Sequence, residues 1–476
     1  MRNYYQTITI ACCMAMSASP LAIWAQSGDE QGLEIPRNLQ LQQDKDELRK
    51  AYDGWWTASQ KNKEQRMSWY NEAKFGCFIH WGPYSVPAGL WKNKMQSGYT
   101  EHLMRKARIP LEEYKKELIL PFNPTEFGKA NIVGISIGWI HGESVVMLGS
   151  NDEISHACFR CMAHPLLGIK FGFYYSHAFD WEHPDAPGND WDYPTNPGGD
   201  KLVGGKNWWL ERKDFLANAE KYVNEKSIPQ IQELIRKYDP DILWFDTPQK
   251  LPLYLNIRIL EAIRQADPQN KIVVNGRLAR FGSNNIGDYR NTGDRSAFFF
   301  PTEGAWESIP TTNESYGYSV VDTVRKPVSF FVQLLPSATS KGGNILMNVG
   351  PMGNGRWDKR DIEVFQGIGQ WLKVNGESIY GAQRTNLPIQ PWGVTTLKGD
   401  TLYAHVFHWP ADGKLIIGGL RSDIGKGWLV ADKKAAIRFK RLNADDYELT
   451  LPAYAPDSMN SVIALVLNNR KFHFIH

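Results

Sequence analysis

The residues of this chain that could do chemistry sit at the ends of short apolar runs. The clearest run is Pro240-Asp241-Ile242-Leu243-Trp244-Phe245-Asp246, where four consecutive apolar residues end on a carboxylate. A strand buried on both faces reads this way. Gly76-Cys77-Phe78-Ile79 ends on His80 and Trp81, and Phe171 to Tyr175 leads into Ser176, His177, Asp180, Trp181, Glu182 and His183. Ile272 to Arg277 ends on Asn275 and Arg277, and residues 287–318 carry several acids, among them Asp288, Asp294, Glu303 and Glu307. An Asp at the end of a buried strand can be a nucleophile or a general base, or it can cap the loop that follows. Cleavage of a sugar bond with retention needs one carboxylate as nucleophile and a second about 5–5.5 Å away as acid and base. The second needs a pKa raised by burial or by its neighbour's charge. Asp246 with one acid from 288–307 would meet that requirement, the others being solvated loop carboxylates.

Regular elements must hold these groups. Ile228 to Tyr238 reads as a helix with Ile231, Leu234 and Ile235 on one face. Helix, Asp-Pro turn and buried strand make the αβ half of a parallel α/β repeat. In such folds the carboxyl ends of the strands form the active face. Candidate strands are Phe75–His80, Lys170–Tyr175, Ile242–Asp246, Ile272–Asn275 and Asn344–Val349, all within residues 67–385. A (β/α)8 TIM barrel takes about 250 residues, so this region fits one with insertions. After Tyr380 the pattern alternates, as in Thr401–Phe407, Lys414–Ile417 and Ser461–Leu467, which predicts an all-β sandwich. The predicted organisation is a leader over 1–26, a barrel domain over 27–385 and a β-sandwich domain over 386–476.

Composition narrows the class. Of 476 residues, 42% are hydrophobic and 22% charged, which suits a globular chain with a large core. The net charge is +3 and basic residues do not cluster, so no nucleic-acid partner is expected. Aromatic residues are abundant, with 18 Trp, 20 Tyr and 21 Phe. Such faces stack on sugar rings or fill a core. Arg2, the apolar stretch from Ile8 to about Ala18 and Ala22-Ile23-Trp24-Ala25 form a secretory signal pattern with cleavage near Gln26, predicting a secreted or periplasmic protein without a membrane span. The surroundings of Cys12 and Cys13 do not suit a lipid anchor. Beyond the leader only Cys77, Cys158 and Cys161 remain, too few for a disulfide framework. His156, Cys158, Cys161 and His164 have zinc-ligand chemistry but fit no common zinc spacing, and no metal or other cofactor is expected.

Together the segments FGCFIHWGPYSVP, FGFYYSHAFDWEHPD, PDILWFD, AWESIPTTNESYGY and GGNILMNVGPMGNGR resemble the glycoside hydrolase family 29 α-L-fucosidases. The resemblance runs from about residue 67 into the C-terminal β domain. It implies a (β/α)8-like barrel with a β-sandwich and a retaining double displacement through a covalent fucosyl-enzyme. Asp246 then matches the nucleophile, and Trp244, Tyr174 and Arg277 match pocket residues. His80 matches a sugar-hydroxyl ligand, with Trp81 beside it in the same motif. Glu101 matches the glutamate of a Glu-Trp pair whose Trp is replaced by His102. Glu307 is the expected acid/base, followed by Glu303 and Asp294. The expected substrate is a fucosylated oligosaccharide or glycoprotein glycan.

One stretch departs from the family. Between Phe122–Phe127 and Gly168–Ser176, the resemblance implies a helix and a strand ending in His-His-Asp-Gly-Phe, whose histidines bind fucose. Residues 128–167 are shorter than that and hold no His-His pair, which predicts a shift of reading frame and a missing piece of barrel wall. A fucose-binding homologue without turnover is the competing expectation. A retaining glycosidase for another deoxy or galacto-configured sugar is a further one.

Overall fold

The structure is a computed structural model that describes residues 41–468 except 97, 124–143, 148–169, 181, 188–207, 211, 282–283, 295–298 and 300–301; for 144–147 it describes the backbone. The leader, the His156–His164 cluster and Trp181 therefore lie outside the described residues, as does most of the 128–167 window.

Eight parallel strands run in chain order around one sheet. They are β1 (Phe75–Ile79), β2 (Ser144–Met147), β3 (Phe171–Tyr175), β4 (Ile242–Phe245), β5 (Val273–Val274), β6 (Arg290–Asp294), β7 (Trp306–Ile309) and β8 (Gly343–Val349). β8 pairs back onto β1 in register Phe75↔Ile345, and a parallel bridge between Asn275 and Tyr289 joins β5 to β6. The sheet thus closes into the expected barrel. β2 lies between β1 and β3 and pairs with both. The wall that the sequence led us to expect missing is therefore occupied by Ser144–Met147.

Strand β4 shows how sequence aims side chains. Ile242 and Trp244 pack with Phe78, Val273, Ile309 and Leu346 inside the barrel. Leu243 and Phe245 pack outside, against α3 (Ile228–Tyr238) and α4 (Leu253–Ala266). Strand residues alternate faces, so Asp246 comes next on the inward side at the carboxyl end. α3 buries Ile231 and Ile235 against this layer and ends at Asp239 in the left-handed conformation, just before Pro240. α1 (Gln42–Asp53) and α2 (Lys63–Ala73) precede the barrel, while α5 (Val328–Thr339) and α6 (Lys359–Asn375) flank β8 in the chain.

The C-terminal region is a sandwich of two antiparallel sheets. One carries Gln383–Arg384, β9 (Gly393–Lys398), β10 (Thr401–Val406), β16 (Ser461–Leu467), β12 (Ile424–Leu429) and β13 (Asp432–Ala436), in that spatial order; the other carries β11 (Lys414–Ile417), β15 (Tyr447–Thr450) and β14 (Arg438–Arg441). Leu402, Ala404, Leu415, Ile417, Leu449, Ile463 and Leu465 fill the space between them.

Candidate active site

Because the barrel strands are parallel, their carboxyl ends meet at one mouth. A pocket opens there, lined by Phe78, His80, Tyr99, Glu101, His102, Tyr174, Trp244, Asp246, Arg277, Asp294, Ile309 and Tyr316. The lining is apolar and aromatic on several sides, with ionisable groups between.

Asp246 takes three donors. Tyr174 Oη donates to Oδ2 at 3.1 Å, while Arg277 Nη1 and the backbone N–H of Thr247 reach Oδ1 at 3.0 and 2.9 Å. Thr247 donates from the left-handed region at φ 55°, a conformation rare for a β-branched residue. Tyr174 is fed in turn by the Ser176 hydroxyl at 2.8 Å. Its phenol is pushed well above its ordinary range by burial and by the Asp246 charge. It therefore stays a donor toward that carboxylate.

Arg277 joins two of the site's acids. Its Nη2 donates to Asp294 Oδ1 at 3.0 Å and to the Thr292 carbonyl at 2.9 Å, while Nη1 holds Asp246. One guanidinium fork thus spans two carboxylates that remain partly open to solvent, at 25% and 22% exposure. Tyr99 Oη gives Asp294 a further donor at 3.2 Å. β5 is short, and Asn275 extends its hold: its side chain accepts from the Phe245 N–H at 2.8 Å and donates to the Phe245 carbonyl at 2.9 Å. That clamp ties the loop bearing Arg277 to the strand bearing Asp246.

Asp294 reaches the mouth through a β-bulge. Asn291 pairs with Glu307 but Asp294 pairs with Ile309, so three steps on β6 match two on β7. Simple alternation from Asn291 would send Gly293 inward. The extra residue sends Asp294 instead, and bulges beside active sites re-aim side chains in this way.

His80 is neutral and has a defined tautomer. Asn348 Nδ2 donates to the Tyr316 carbonyl at 2.7 Å, which orients the amide so that Oδ1 faces His80 Nδ1 at 2.6 Å. Nδ1 therefore carries the proton and Nε2 is left as an acceptor. Burial lowers the His80 pKa to about 4, against the opposing effects of Asn348 and Asp294. Glu101 is half-buried and accepts from the Gly317 N–H at 3.0 Å. Burial pushes its carboxyl up to about 7. His102, held to about 3 by burial and by Arg105 and Lys106, lies against Tyr99 with ring centroids 5.9 Å apart.

Two expected residues lie elsewhere. Trp81 follows inward-facing His80, so it points outward: it packs on Phe122 at 5.3 Å and its Nε1 donates to the Met352 carbonyl at 2.8 Å. Glu307 faces inward but sits two residues below the end of β7, at 1% exposure, with Trp244 Nε1 donating to it at 2.9 Å. Glu303 is exposed in the loop before β7 and does not line the cavity. Of the three acid/base candidates, the structure brings Asp294 alone together with Asp246. Tyr99, Tyr316, Phe78 and Ile309 went unmarked as site residues. Phe78 and Tyr316 stand within two of the family-like segments, and Tyr99 stands two residues before Glu101.

Breaking a glycosidic bond asks for two carboxylates at the anomeric centre, and a barrel mouth that supplies both places this chain among the glycoside hydrolases. Comparison with known proteins narrows the class. Residues 39–135 and 146–377 match the family model described as alpha-L-fucosidase, and the chain belongs to that family, EC 3.2.1.51. The match is interrupted at 136–145, inside the window that departs from the family in sequence. The chain is 26% identical over 393 residues to an alpha-L-fucosidase of Branchiostoma floridae, covering 75% of this chain and 82% of that one. Among solved structures, alpha-L-fucosidase isoenzyme 1 from Paenibacillus thiaminolyticus superposes with a TM-score of 0.67 at 27% identity, over 86% of this chain and 100% of that one. The alpha-L-fucosidase from Vibrio sp. strain EJY3 superposes with a TM-score of 0.72 at 25% identity, over 87% of this chain and 74% of that one.

Proposed function

We propose that this protein is an exported retaining α-L-fucosidase that removes terminal fucose from glycans, with Asp246 as nucleophile and Asp294 as acid/base. The observation that carries the assignment is the Arg277 fork, which holds both acids at the edge of one pocket. Asp246 attacks the anomeric carbon, and Asp294 gives its proton to the leaving oxygen. Once Asp246 is esterified its charge is gone, and Arg277 supports Asp294 as the base that draws a proton from water. Phe78, Trp244, Ile309 and Tyr316 offer apolar surface to a deoxy sugar's methyl group. His80 Nε2 accepts from a sugar hydroxyl, and Glu101 and His102 supply further polar contacts. Glu307 and Glu303 give up the acid/base role because neither reaches the cavity. The N-terminal leader pattern supports export.

Replacing Asp246 by Ala should cut turnover of 4-nitrophenyl α-L-fucoside by roughly 10⁴-fold or more. Near-normal kcat in that variant would refute the nucleophile assignment. Asp294→Ala should spare substrates with good leaving groups and regain rate with azide, which needs no general base; a loss that azide does not relieve would exclude Asp294. A second reading, a fucose-binding homologue without turnover, draws on the absence of a His-His pair from residues 128–167. Fucose binding measured beside hydrolysis separates the two.

A further inference from the structure

The most buried acid at this end of the barrel is left without a catalytic task. Glu307 is 1% exposed, and donors from three elements converge on it. Trp244 Nε1 on β4, Asn291 Nδ2 on β6 and Tyr289 Oη beside it reach Oε1 at 2.9, 3.1 and 3.4 Å, and Tyr70 Oη from α2 reaches Oε2 at 3.4 Å. Burying a carboxylate is costly unless its lone pairs are met by donors. A side chain needed only to fill this space would be apolar. Asn291 and Tyr289 hold the same oxygen that accepts from Trp244, so that acceptor is itself fixed in place.

Trp244 is where this matters. An indole has a single donor, so one strong acceptor fixes the ring's rotation. Tyr174 stacks on that ring at 5.5 Å and 20°, and the Arg277 guanidinium lies 5.1 Å from its centre. These are the two side chains that donate to Asp246, at 3.1 and 3.0 Å. The chain of contacts runs from Glu307 to Trp244, from Trp244 to Tyr174 and Arg277, and from both to the nucleophile.

We propose that Glu307 is a positioning residue that locks the Trp244 indole and, through it, the two donors that aim Asp246. The proposal rests on the assignment of Asp246 as nucleophile. It separates Glu307 from the acid/base role, which requires contact with the leaving group.

The test compares wild type, Glu307→Leu, which removes the acceptor, Trp244→Phe and the double variant. The probes are 4-nitrophenyl α-L-fucoside and an aryl fucoside with a more basic leaving group, each with and without azide. Each single variant should lower kcat by roughly 10–100-fold, equally for both leaving groups and without rescue by azide. The double variant should fall no more than about threefold further, because both changes break one link. Azide rescue, a loss that grows with leaving-group basicity, multiplicative losses in the double variant, or an unchanged kcat would each overturn the proposal. Should Glu307→Leu fail to fold, Trp244→Phe keeps the Glu307 side chain and decides alone: a leaving-group-independent loss without azide rescue supports the lock, and wild-type kcat refutes it. Failure of the fucosidase assignment shows separately, as absent wild-type turnover or as turnover that survives Asp246→Ala.

Discussion

At the scale of single residues, the site is a set of hydrogen-bonded polar groups, and burial shifts the protonation of His80, Glu101 and His102. Glu101 makes this testable. Its carboxyl is pushed from the ordinary 4.5 to about 7, first by burial and in lesser part by Asp294, against the pull of the Gly317 N–H and Lys106. A raised carboxyl pKa means the folded protein prefers the protonated form. Below about pH 4.5 both folded and unfolded chains hold the proton and nothing is lost. As pH rises toward 7 the unfolded chain ionises first, so folded-state stability falls across that window. Glu101→Gln cannot ionise and its amide oxygen can still accept from Gly317. Melting curves should therefore show the variant gaining on wild type between pH 4.5 and pH 8; a Tm difference that does not change with pH would contradict the shift. Asp246 and His80 were legible in the sequence because each follows an apolar run by one residue, and strand alternation then decides its direction. The same rule sends Trp81 outward, although the dense aromatic segment around it pointed to a site. Asp294 was hard to rank, because a bulge breaks the alternation that would have located it. Glu307 misled for the opposite reason: it faces inward, but its depth below the strand end is not written in residue types.

At the scale of elements, the distance between neighbouring strands sets the aim of the site. Gly172 on β3 pairs with Ile242 on β4, two residue pairs below the level of Tyr174 and Trp244. A Cβ at 172 would stand 2.0 Å from the Ile242 carbonyl oxygen and 2.2 Å from its Cγ2, so the strands would have to part. Gly172→Ala should cost about 1–3 kcal/mol of stability in chemical denaturation and should lower kcat by disturbing the bond between Tyr174 and Asp246. Wild-type stability and rate together would show that the strands yield without consequence. The strands rich in apolar residues were legible as runs, as was α3 with its buried Ile231 and Ile235. β5 was legible within the run Ile272–Asn275, though it is only two residues long and Asn275 substitutes for part of its ladder. β6 and β7 were not: β6 reads Arg-Asn-Thr-Gly-Asp, a polar sequence that is a strand because the barrel must close there. β2 lies in the window that lacks the family's His-His motif, yet it completes the wall between β1 and β3.

At the scale of the whole molecule, the sandwich braces the barrel on the side of α5 and α6. Tyr403, Val430, Val462 and Ala464 belong to one apolar cluster with Phe331, Leu335, Phe365 and Trp371. Asn460 ties the two together: its Nδ2 donates to the Val332 carbonyl at 3.1 Å and its backbone carbonyl accepts from Trp371 Nε1 at 2.9 Å. Asn460→Ala strands a buried carbonyl and should cost about 1–3 kcal/mol in thermal or chemical unfolding, with KM unchanged. A raised KM would mean that the interface shapes the pocket. The central claim, that this barrel forms a fucosyl ester on Asp246, has a direct measurement. The protein is incubated with 2-deoxy-2-fluoro-α-L-fucosyl fluoride, digested, and sequenced by mass spectrometry. The account predicts one fluorofucosyl group, carried by Asp246 in the peptide that contains Ile242–Asp246; a label on any other residue, or active enzyme that acquires no label, would contradict it.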